Sequence, residues 1–240
     1  DRHAPASVPA TRAPHGMSRT VKILLWLAGL LIAIPALALV ILLNYDWNKA
    51  RPWLNDKASD AMGRPFAIRG DLSLQWEKPL PGAAASWHDH IPWPHLTAHD
   101  VHVSNPPGMP ERDTASVGRL SFSLDPFALL HHTISIPQLQ FQAPAVDLIR
   151  KADGSNNWTF HHDEKKSNWT MDLERVVFTK GIVKYEDAIQ KIKVQADVDT
   201  VSNDAKYGIA WKLGGSYNGA PVTGSGKAGA VLSLQEQTTP

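Results

Sequence analysis

The residues best suited to chemistry lie in one short stretch, where five histidines and two aspartates fall within fifteen positions. They are His88, Asp89, His90, His95, His99, Asp100 and His102. Imidazole and carboxylate groups are ligands for Zn²⁺ and Cu²⁺. Pro92 and Pro94 interrupt any helix that would place His95 and His99 on one face. Because the spacing fixes no coordination geometry, we predict structural histidines and no metal site, with a metal-dependent hydrolase as an alternative.

The rest of the sequence offers no catalytic set. A serine nucleophile would need an elbow such as G-x-S-x-G, which the chain lacks. The run Gly224–Lys227 is not a phosphate-binding loop, because Pro221 stands at the position of the first glycine and Ala228 follows the lysine. There are no cysteines, so disulfides, thiolate metal sites and thiol redox chemistry are excluded. We therefore expect a protein that is not an enzyme, with no catalytic residues and no cofactor.

A long apolar run near the N-terminus predicts a membrane anchor. Ile23 to Leu43 is a run of 21 uncharged residues, which as a helix covers the hydrocarbon core of about 30 Å. A cleaved signal peptide is the alternative, since Ala36-Leu37-Ala38 has the character of a cleavage site. The apolar run continues past that point and exceeds the length of a signal-peptide core. We assign residues 19–44 to a transmembrane anchor.

Basic residues before this run predict its orientation. Arg2, Arg12, Arg19 and Lys22 precede the apolar run against a single acidic residue, Asp1. The positive-inside rule therefore places the N-terminus in the cytoplasm. We predict that residues 1–18 are a disordered cytoplasmic leader and that residues 45–240 form a periplasmic domain. The formal net charge of the whole chain is +1 and the exported part is slightly acidic, so nucleic acid is not an expected partner.

A short amphipathic helix is predicted directly after the anchor. Leu54, Ala58 and Ala61 recur at helical spacing, Pro52 suits the first turn, and Gly63 suits the end. Trp47 and Trp53 could be anchors at the level of the lipid headgroups. As plain packing residues they would need no membrane role.

From residue 65 the hydrophobic period changes to two, which is typical of β-strands with one solvated face. The alternation is clean in 66–77, 191–199 and 209–217, and weaker strands run through 96–103, 117–124, 133–141, 145–149, 173–179 and 182–185. Asn218-Gly219 predicts a hairpin turn. The short spacings predict antiparallel neighbours. The apolar sides of the clean strands carry Phe66, Ile68, Leu72, Leu74, Trp76, Ile192, Val194, Val198, Ile209, Trp211 and Leu213.

One short helix cannot cover such a sheet, so its apolar face needs another partner. Folding into a sandwich or barrel would close the face on itself. A curved, open sheet would instead leave a groove that acyl chains could fill. The periodicity alone does not choose between the two.

Several motifs follow the anchor in a fixed order. They are DWNKARPWL (46–54), GRPFAIRGDLSLQW (63–76), SLDPFALLHHTISIPQLQFQAPAVDLIR (123–150), DGSNNW (153–158) and GIVKYED (181–187). In order and spacing they resemble the N-terminal region of AsmA-like envelope proteins. The resemblance implies a chorein-like start of an elongated β-groove, related to bridge-like lipid-transfer proteins, with an inner-membrane anchor and a periplasmic body.

With this resemblance, the predicted fold is mostly β. A transmembrane helix and a short amphipathic helix precede a curved antiparallel sheet that forms an open hydrophobic groove. The apolar strand residues named above would line the groove and contact membrane phospholipid. The implied function is to shield and guide acyl chains between membranes in outer-membrane biogenesis, with outer-membrane assembly proteins as further partners. A scaffold that assists outer-membrane proteins without carrying lipid is the alternative.

Overall fold

The structure, a computed structural model, describes residues 18–78, 87–160, 168–201 and 207–229. The leader up to residue 17 and the side chains of His88, Asp89 and Tyr207 lie outside the described part. The chain divides into two compact units, Asp1–Tyr45 and Asp46–Pro240.

The first unit contains one helix, α1, spanning Arg19–Asn44. The hydroxyl of Ser18 caps its start by accepting the N–H of Val21 at 3.4 Å. Pro35 lies inside the helix without ending it, as membrane helices tolerate. A stretch of 18 residues within α1 has a mean hydropathy of 2.7, and the helix is long and apolar enough to cross a membrane.

The second unit begins with a 3₁₀ turn, Trp47–Ala50, followed by helix α2, Arg51–Met62. The Asp46 carboxylate caps the turn by accepting the N–H of Asn48 at 3.1 Å. Pro52 lies in the first turn of α2, where its missing N–H costs nothing. Gly63 ends the helix in the left-handed conformation at a φ of 64°. The predicted start and end of this helix are confirmed.

The rest of the described chain forms one open sheet of ten strands. A 3₁₀ turn, Trp87–His90, precedes the third strand, and a short helix, α3 (Pro126–Leu129), lies between the fourth and fifth. The strands are β1 Phe66–Ile68, β2 Leu72–Glu77, β3 Trp93–Ser104, β4 Asp113–Ser123, β5 Thr133–Arg150, β6 Thr170–Thr179, β7 Gly181–Asp187, β8 Ile192–Thr200, β9 Tyr207–Tyr217 and β10 Ala220–Gly229. Their order is β1-β3-β4-β5-β7-β8-β9-β10, with β2 beside β3 and β6 beside β5. The sheet does not close on itself, so the alternative of a barrel or sandwich is wrong for the described strands.

The predicted antiparallel pairing is confirmed for seven of the nine described strand pairs, and it is wrong for the other two. β5 pairs in parallel with both β6 and β7. A parallel pair needs a crossover of a dozen or more residues, and residues 151–169 provide it between β5 and β6. β6 and β7 are separated only by Lys180 and together act as one long strand beside β5.

A row of irregular positions crosses the middle of the sheet. Asp100, Ala143 and Lys180 have left-handed φ values of 54°, 52° and 55°, and the register places Gly118 between Asp100 and Ala143. Ala143 lies opposite Lys180, because the offset of 37 residues between β5 and β6 continues unchanged into β7. The four positions face one another without a shift in register, and at each of them the alternation of side chains along the strand reverses, as it does at a β-bulge. We call these four positions the bulge row.

The buried core lies where α2 covers the first strands. Ile68, Leu72, Ala98, Val101 and Val117 form its buried cluster. Partly buried side chains packed against the cluster include Trp47 and Leu54. The helix therefore packs Leu54 against the beginning of the sheet.

The 3₁₀ turn and α2 together cover the outer edge of β1 and β2 with polar side chains. Asn48 and Asn55 accept the backbone N–H groups of Leu72 and Ile68 at 2.9 Å each. The Ser59 hydroxyl bonds both the N–H and the carbonyl of Phe66, at 2.8 and 3.2 Å. These contacts satisfy edge groups that would otherwise be free to pair with another strand.

Candidate functional site

The strand register places the apolar residues predicted from the sequence on one side of the sheet. Residues directly opposite each other in neighbouring strands point to the same face. One row of opposite residues crosses eight strands and is entirely apolar: Phe66, Val103, Ala115, Val146, Val183, Ala196, Leu213 and Gly224. We call this side the apolar face.

All eleven predicted groove residues lie on the apolar face by register. Phe66, Ile68, Leu72, Leu74 and Trp76 oppose Val103, Val101, Ala98, Leu96 and Pro94 of β3. Val194, Val198 and Ile192 of β8 oppose Gly215, Trp211 and Tyr217 of β9. Ile209 and Leu213 oppose Thr200 and Ala196. In β3 to β7 the apolar residues change from odd to even numbers, or the reverse, at the bulge row. Because the alternation of side chains reverses there as well, the apolar residues stay on the same face.

A cavity of about 460 Å³ lies on the apolar face at the bulge row. Fifteen of its sixteen lining residues are apolar or glycine, and none is charged. Of the eleven predicted residues, Phe66 and Val198 line it; the other lining residues are Val101, Val103, Ala115, Ser116, Val117, Leu120, Phe141, Pro144, Val146, Val176, Phe178, Gly181, Ile182 and Val183. Its volume lies in the usual range for small-ligand pockets, roughly 300 to 1,000 Å³.

The predicted residues differ in how far they are covered. Ile68 and Leu72 are buried in the cluster beneath α2, so they belong to the core of the unit. The apolar residues of β8 are half-buried and alternate with exposed polar ones. Trp211 lies against Gly226 of β10, where an added Cβ would come within 2.9 Å of the indole ring. The open part of the apolar face therefore begins beyond α2.

Of the two tryptophans proposed for the membrane interface, Trp47 packs against the core cluster and Trp53 is exposed on α2. The structure thus gives Trp47 a packing partner within its own unit. Trp53 has a free surface on the helix that follows the anchor.

The histidines of β3 lie on the side opposite the apolar face. His95 contacts the Ser123 hydroxyl at 2.8 Å, and His102 lies between the carboxylates of Asp100 and Asp113 at 2.6 Å from each. Across the part of the chain that the structure describes, no three His, Asp or Glu side chains are placed to hold a metal ion. These histidines serve cross-strand and bulge contacts.

Sequence reasoning missed a buried polar cluster around Asp187. Its carboxylate is almost fully buried and accepts hydrogen bonds from the Arg150 guanidinium, from the Tyr185 hydroxyl at 2.8 Å, and from the N–H groups of Ile189 and Gln190 at 2.9 and 3.0 Å. The Arg150 hydrogen bond, with the others, lowers the pKa of Asp187 far below its usual range. The same cluster raises the pKa of Tyr185, chiefly through the hydrogen bond to Asp187. The Asp187 cluster links the end of β5 to the end of β7 and to the turn that leads to β8.

A second missed cluster joins the start of the sheet to the crossover after β5. The Arg64 guanidinium donates to the carbonyls of Asn157 and Thr159 and lies 3.9 Å from the centre of the Phe160 ring. Asn157 is fully buried, and its side chain bonds Ile149, Asn105 and the carbonyl of Asp147. Neither Arg64 nor Asn157 stands in a local pattern that would reveal its partner, although both lie inside the motifs quoted above.

These features define a class of protein: one apolar helix joined to an open, mixed β-sheet with an apolar and a polar face. The AsmA family model matches residues 17–240. The chain is also 32% identical over 250 residues to "AsmA family protein YhjG" of Escherichia coli (strain K12). That match covers 93% of this chain and 36% of the relative. No solved structure matches the chain.

The chain belongs to the AsmA family, which confirms the resemblance found in the sequence. It spans about 36% of the length of the relative that it matches. Family membership suggests a role at the cell envelope, and the apolar helix suggests a single-pass membrane anchor.

Proposed function

We propose that the protein is anchored in the bacterial inner membrane with its sheet in the periplasm. There the apolar face shields phospholipid acyl chains and guides them between the membranes during outer-membrane biogenesis. The protein acts by binding, without making or breaking bonds. The observation that supports this most directly is the uncharged cavity on the apolar face.

The energy of such binding comes from removing hydrocarbon from water. Each buried CH₂ group contributes about 0.8 kcal/mol. The row of apolar residues crosses the sheet without a charged interruption, so an acyl chain could move along it without meeting a desolvated charge. The opposite face presents Lys193, Gln195, Asp197 and Asp199 to solvent, which keeps the carrier hydrated.

Two neighbouring residues of β7 provide a matched test. Val183 lines the cavity and is half-buried, whereas Lys184 is exposed on the other side of the sheet. A photo-reactive amino acid placed at residue 183 in cells should become crosslinked to phospholipid, and the same amino acid at residue 184 should not. The crosslinked species is identified by mass spectrometry after purification.

The outcome against the proposal is equally specific. Absence of lipid at residue 183, in protein that is present at normal abundance and keeps its unfolding temperature, would contradict lipid carriage. Equal lipid at both residues would mean general contact with detergent or membrane and would also count against it.

A scaffold for outer-membrane proteins is the second candidate, and one observation favours it. Among the described strands, β10 pairs only with β9, so its outer edge offers hydrogen-bonding groups to an extended segment of another protein. Recovery of a stoichiometric protein crosslinked through β10, together with no lipid at residue 183, would favour this candidate over lipid carriage.

A further inference from the structure

One end of the sheet exposes an apolar patch that lies outside the cavity. Leu130 is 78% exposed, Met171 67% and Trp87 64%, and Leu129 and Trp169 are exposed beside them. We call these five residues the α3 patch. Scattered single apolar residues are ordinary on a protein surface, but a contiguous group marks an interaction site.

Contacts within the described chain bring members of the patch close to one another. The backbone N–H of His132 bonds the carbonyl of Leu129 at 3.2 Å, and the His132 ring lies 5.1 Å from that of Trp169. Met171 follows Trp169 by two residues and lies opposite Ile134 of β5. Trp87 packs edge-to-face on Phe127 of α3, with ring centres 5.6 Å apart.

The composition of this end fits a lipid surface. Two tryptophans are exposed at this end, Trp87 in the turn before β3 and Trp169 directly before β6. Tryptophan concentrates at the headgroup level of bilayers, because its ring is apolar and its N–H is polar. The nearest carboxylate on α3, that of Asp125, accepts the N–H groups of Phe127 and Ala128, so it is held at the start of the helix.

The second unit, which we call the β unit, begins on the half of the sheet that includes this end. The unit starts at Asp46, one residue after Tyr45, and Asn48 bonds Leu72 at the start of β2. β2 then runs from Leu72 to Glu77, opposite Trp93, a length of roughly 17 Å at the usual strand rise. A helix able to cross a membrane ends at Asn44, so a bilayer is within reach of this half of the unit.

We propose that the α3 patch rests in the headgroup layer of the membrane that holds α1, and that a bilayer is its partner. Leu130, Met171 and the two exposed tryptophans enter the interface, as the apolar residues of other peripheral membrane-binding surfaces do. The contact would hold the end of the sheet at the lipid surface. It does not depend on lipid entering the cavity, and it stands if the apolar face carries none.

Single-cysteine labelling tests the proposal in the full chain, which has no native cysteine. Leu130→Cys carries an environment-sensitive fluorophore, and the protein is reconstituted into vesicles of phosphatidylethanolamine and phosphatidylglycerol. Ile189→Cys is the matched control, because Ile189 is also exposed and apolar but follows β7 at the opposite end of the sheet. Lipids with a nitroxide at the headgroup serve as quenchers.

We expect the label at residue 130 to emit at shorter wavelength and to be quenched by the nitroxide lipid, while the label at residue 189 is not. Adding Met171→Glu to the labelled Leu130→Cys protein should abolish the quenching, although α1 still holds the protein in the vesicle. Adding Ile189→Glu should leave it unchanged. Met171→Cys gives a second label site if the protein labelled at residue 130 is unstable.

Equal quenching at residues 130 and 189, or no quenching at 130 and 171, would overturn the proposal. So would a label at 130 that is protected in cell envelopes but exposed in vesicles, since that result identifies a protein partner. Loss of lipid crosslinking at Val183 with unchanged quenching at residue 130 would count against the proposed function alone.

Discussion

At the scale of single residues, Asp187 shows how a buried carboxylate can hold several parts of a sheet together. It receives side-chain hydrogen bonds from β5 and β7 and backbone hydrogen bonds from the turn that leads to β8. A buried charge without these donors would be costly. Arg150 and Tyr185 therefore act on stability through Asp187.

The pH dependence of stability follows from the lowered pKa of Asp187. The folded state holds the ionised form, so the stabilisation is fully present above the pKa of an unfolded Asp, about 3.9. It is lost as the pH falls through that value toward the lower pKa of the folded state. We expect the thermal unfolding midpoint of Asp187→Asn to be lower than that of the unchanged protein at neutral pH, and to fall less on acidification.

Glu186→Gln is the control for this measurement, because Glu186 is the preceding residue of the same strand and is exposed. Its unfolding should follow that of the unchanged protein at each pH. If Asp187→Asn loses as much stability on acidification as the unchanged protein does, the carboxylate does not have the role described.

The sequence predicted the residues of the apolar face better than it predicted these polar clusters. Ile192, Val194 and Val198 are revealed by local alternation with charged neighbours. Arg64 and Asn157 are separated by more than ninety positions, and nothing in the types of their neighbours indicates that they meet. Partners brought together by the fold alone leave no local signal.

At the scale of elements, the bulge row explains why some strands were clear in the sequence and others weak. β2 and β8 lie outside the row and alternate cleanly. β3, β4 and β5 each change parity at Asp100, Gly118 and Ala143. A search for period two therefore finds two short fragments in β5 where the structure has one strand of eighteen residues.

Two adjacent glycines in β9 give a prediction about strand packing. A Cβ at Gly215 would lie 2.1 Å from the carbonyl oxygen of Lys193 in β8, whereas one at Gly214 meets no atom within 4 Å. Gly215 also has a φ of 154°, which residues with a Cβ rarely adopt. Gly215→Ala should therefore strain the backbone, force β8 and β9 apart and lower the free energy of unfolding by about 1 to 3 kcal/mol, the usual cost of overpacking. Denaturant unfolding measures the change.

Gly214→Ala is the matched control and should stay within about 0.5 kcal/mol of the unchanged protein, as ordinary surface substitutions do. Similar losses at both positions would mean that glycine is needed for backbone freedom along β9, and the close approach of β8 would not be the cause.

At the scale of the whole molecule, the basic residues at the start of α1 support the proposed orientation across the membrane. Arg19 and Lys22 lie in the first turn of α1, and its last turn has no basic residue. In the proposed orientation, which the positive-inside rule supports, Ser18 lies in the cytoplasm and the β unit outside. The open sheet itself was one of two architectures that the periodicity allowed, and the family resemblance rather than the alternation favoured it.

Cysteine accessibility tests this orientation. A membrane-impermeant maleimide added to cells with a permeabilised outer membrane should label Lys193→Cys, which is exposed on β8. It should label Ser18→Cys only after the inner membrane is broken. The reverse pattern would place the sheet in the cytoplasm and would remove the basis for transfer between membranes.

The bulge row has a consequence for how such a sheet can change over generations. The four positions of the row, Asp100, Gly118, Ala143 and Lys180, face one another in successive strands. Deleting the residue at one of these positions in one strand alone would move the side chains of half of that strand to the opposite face, with its charged residues toward the apolar side. Length changes at these four positions should therefore be inherited together, so that gaps among relatives arise in concert across strands.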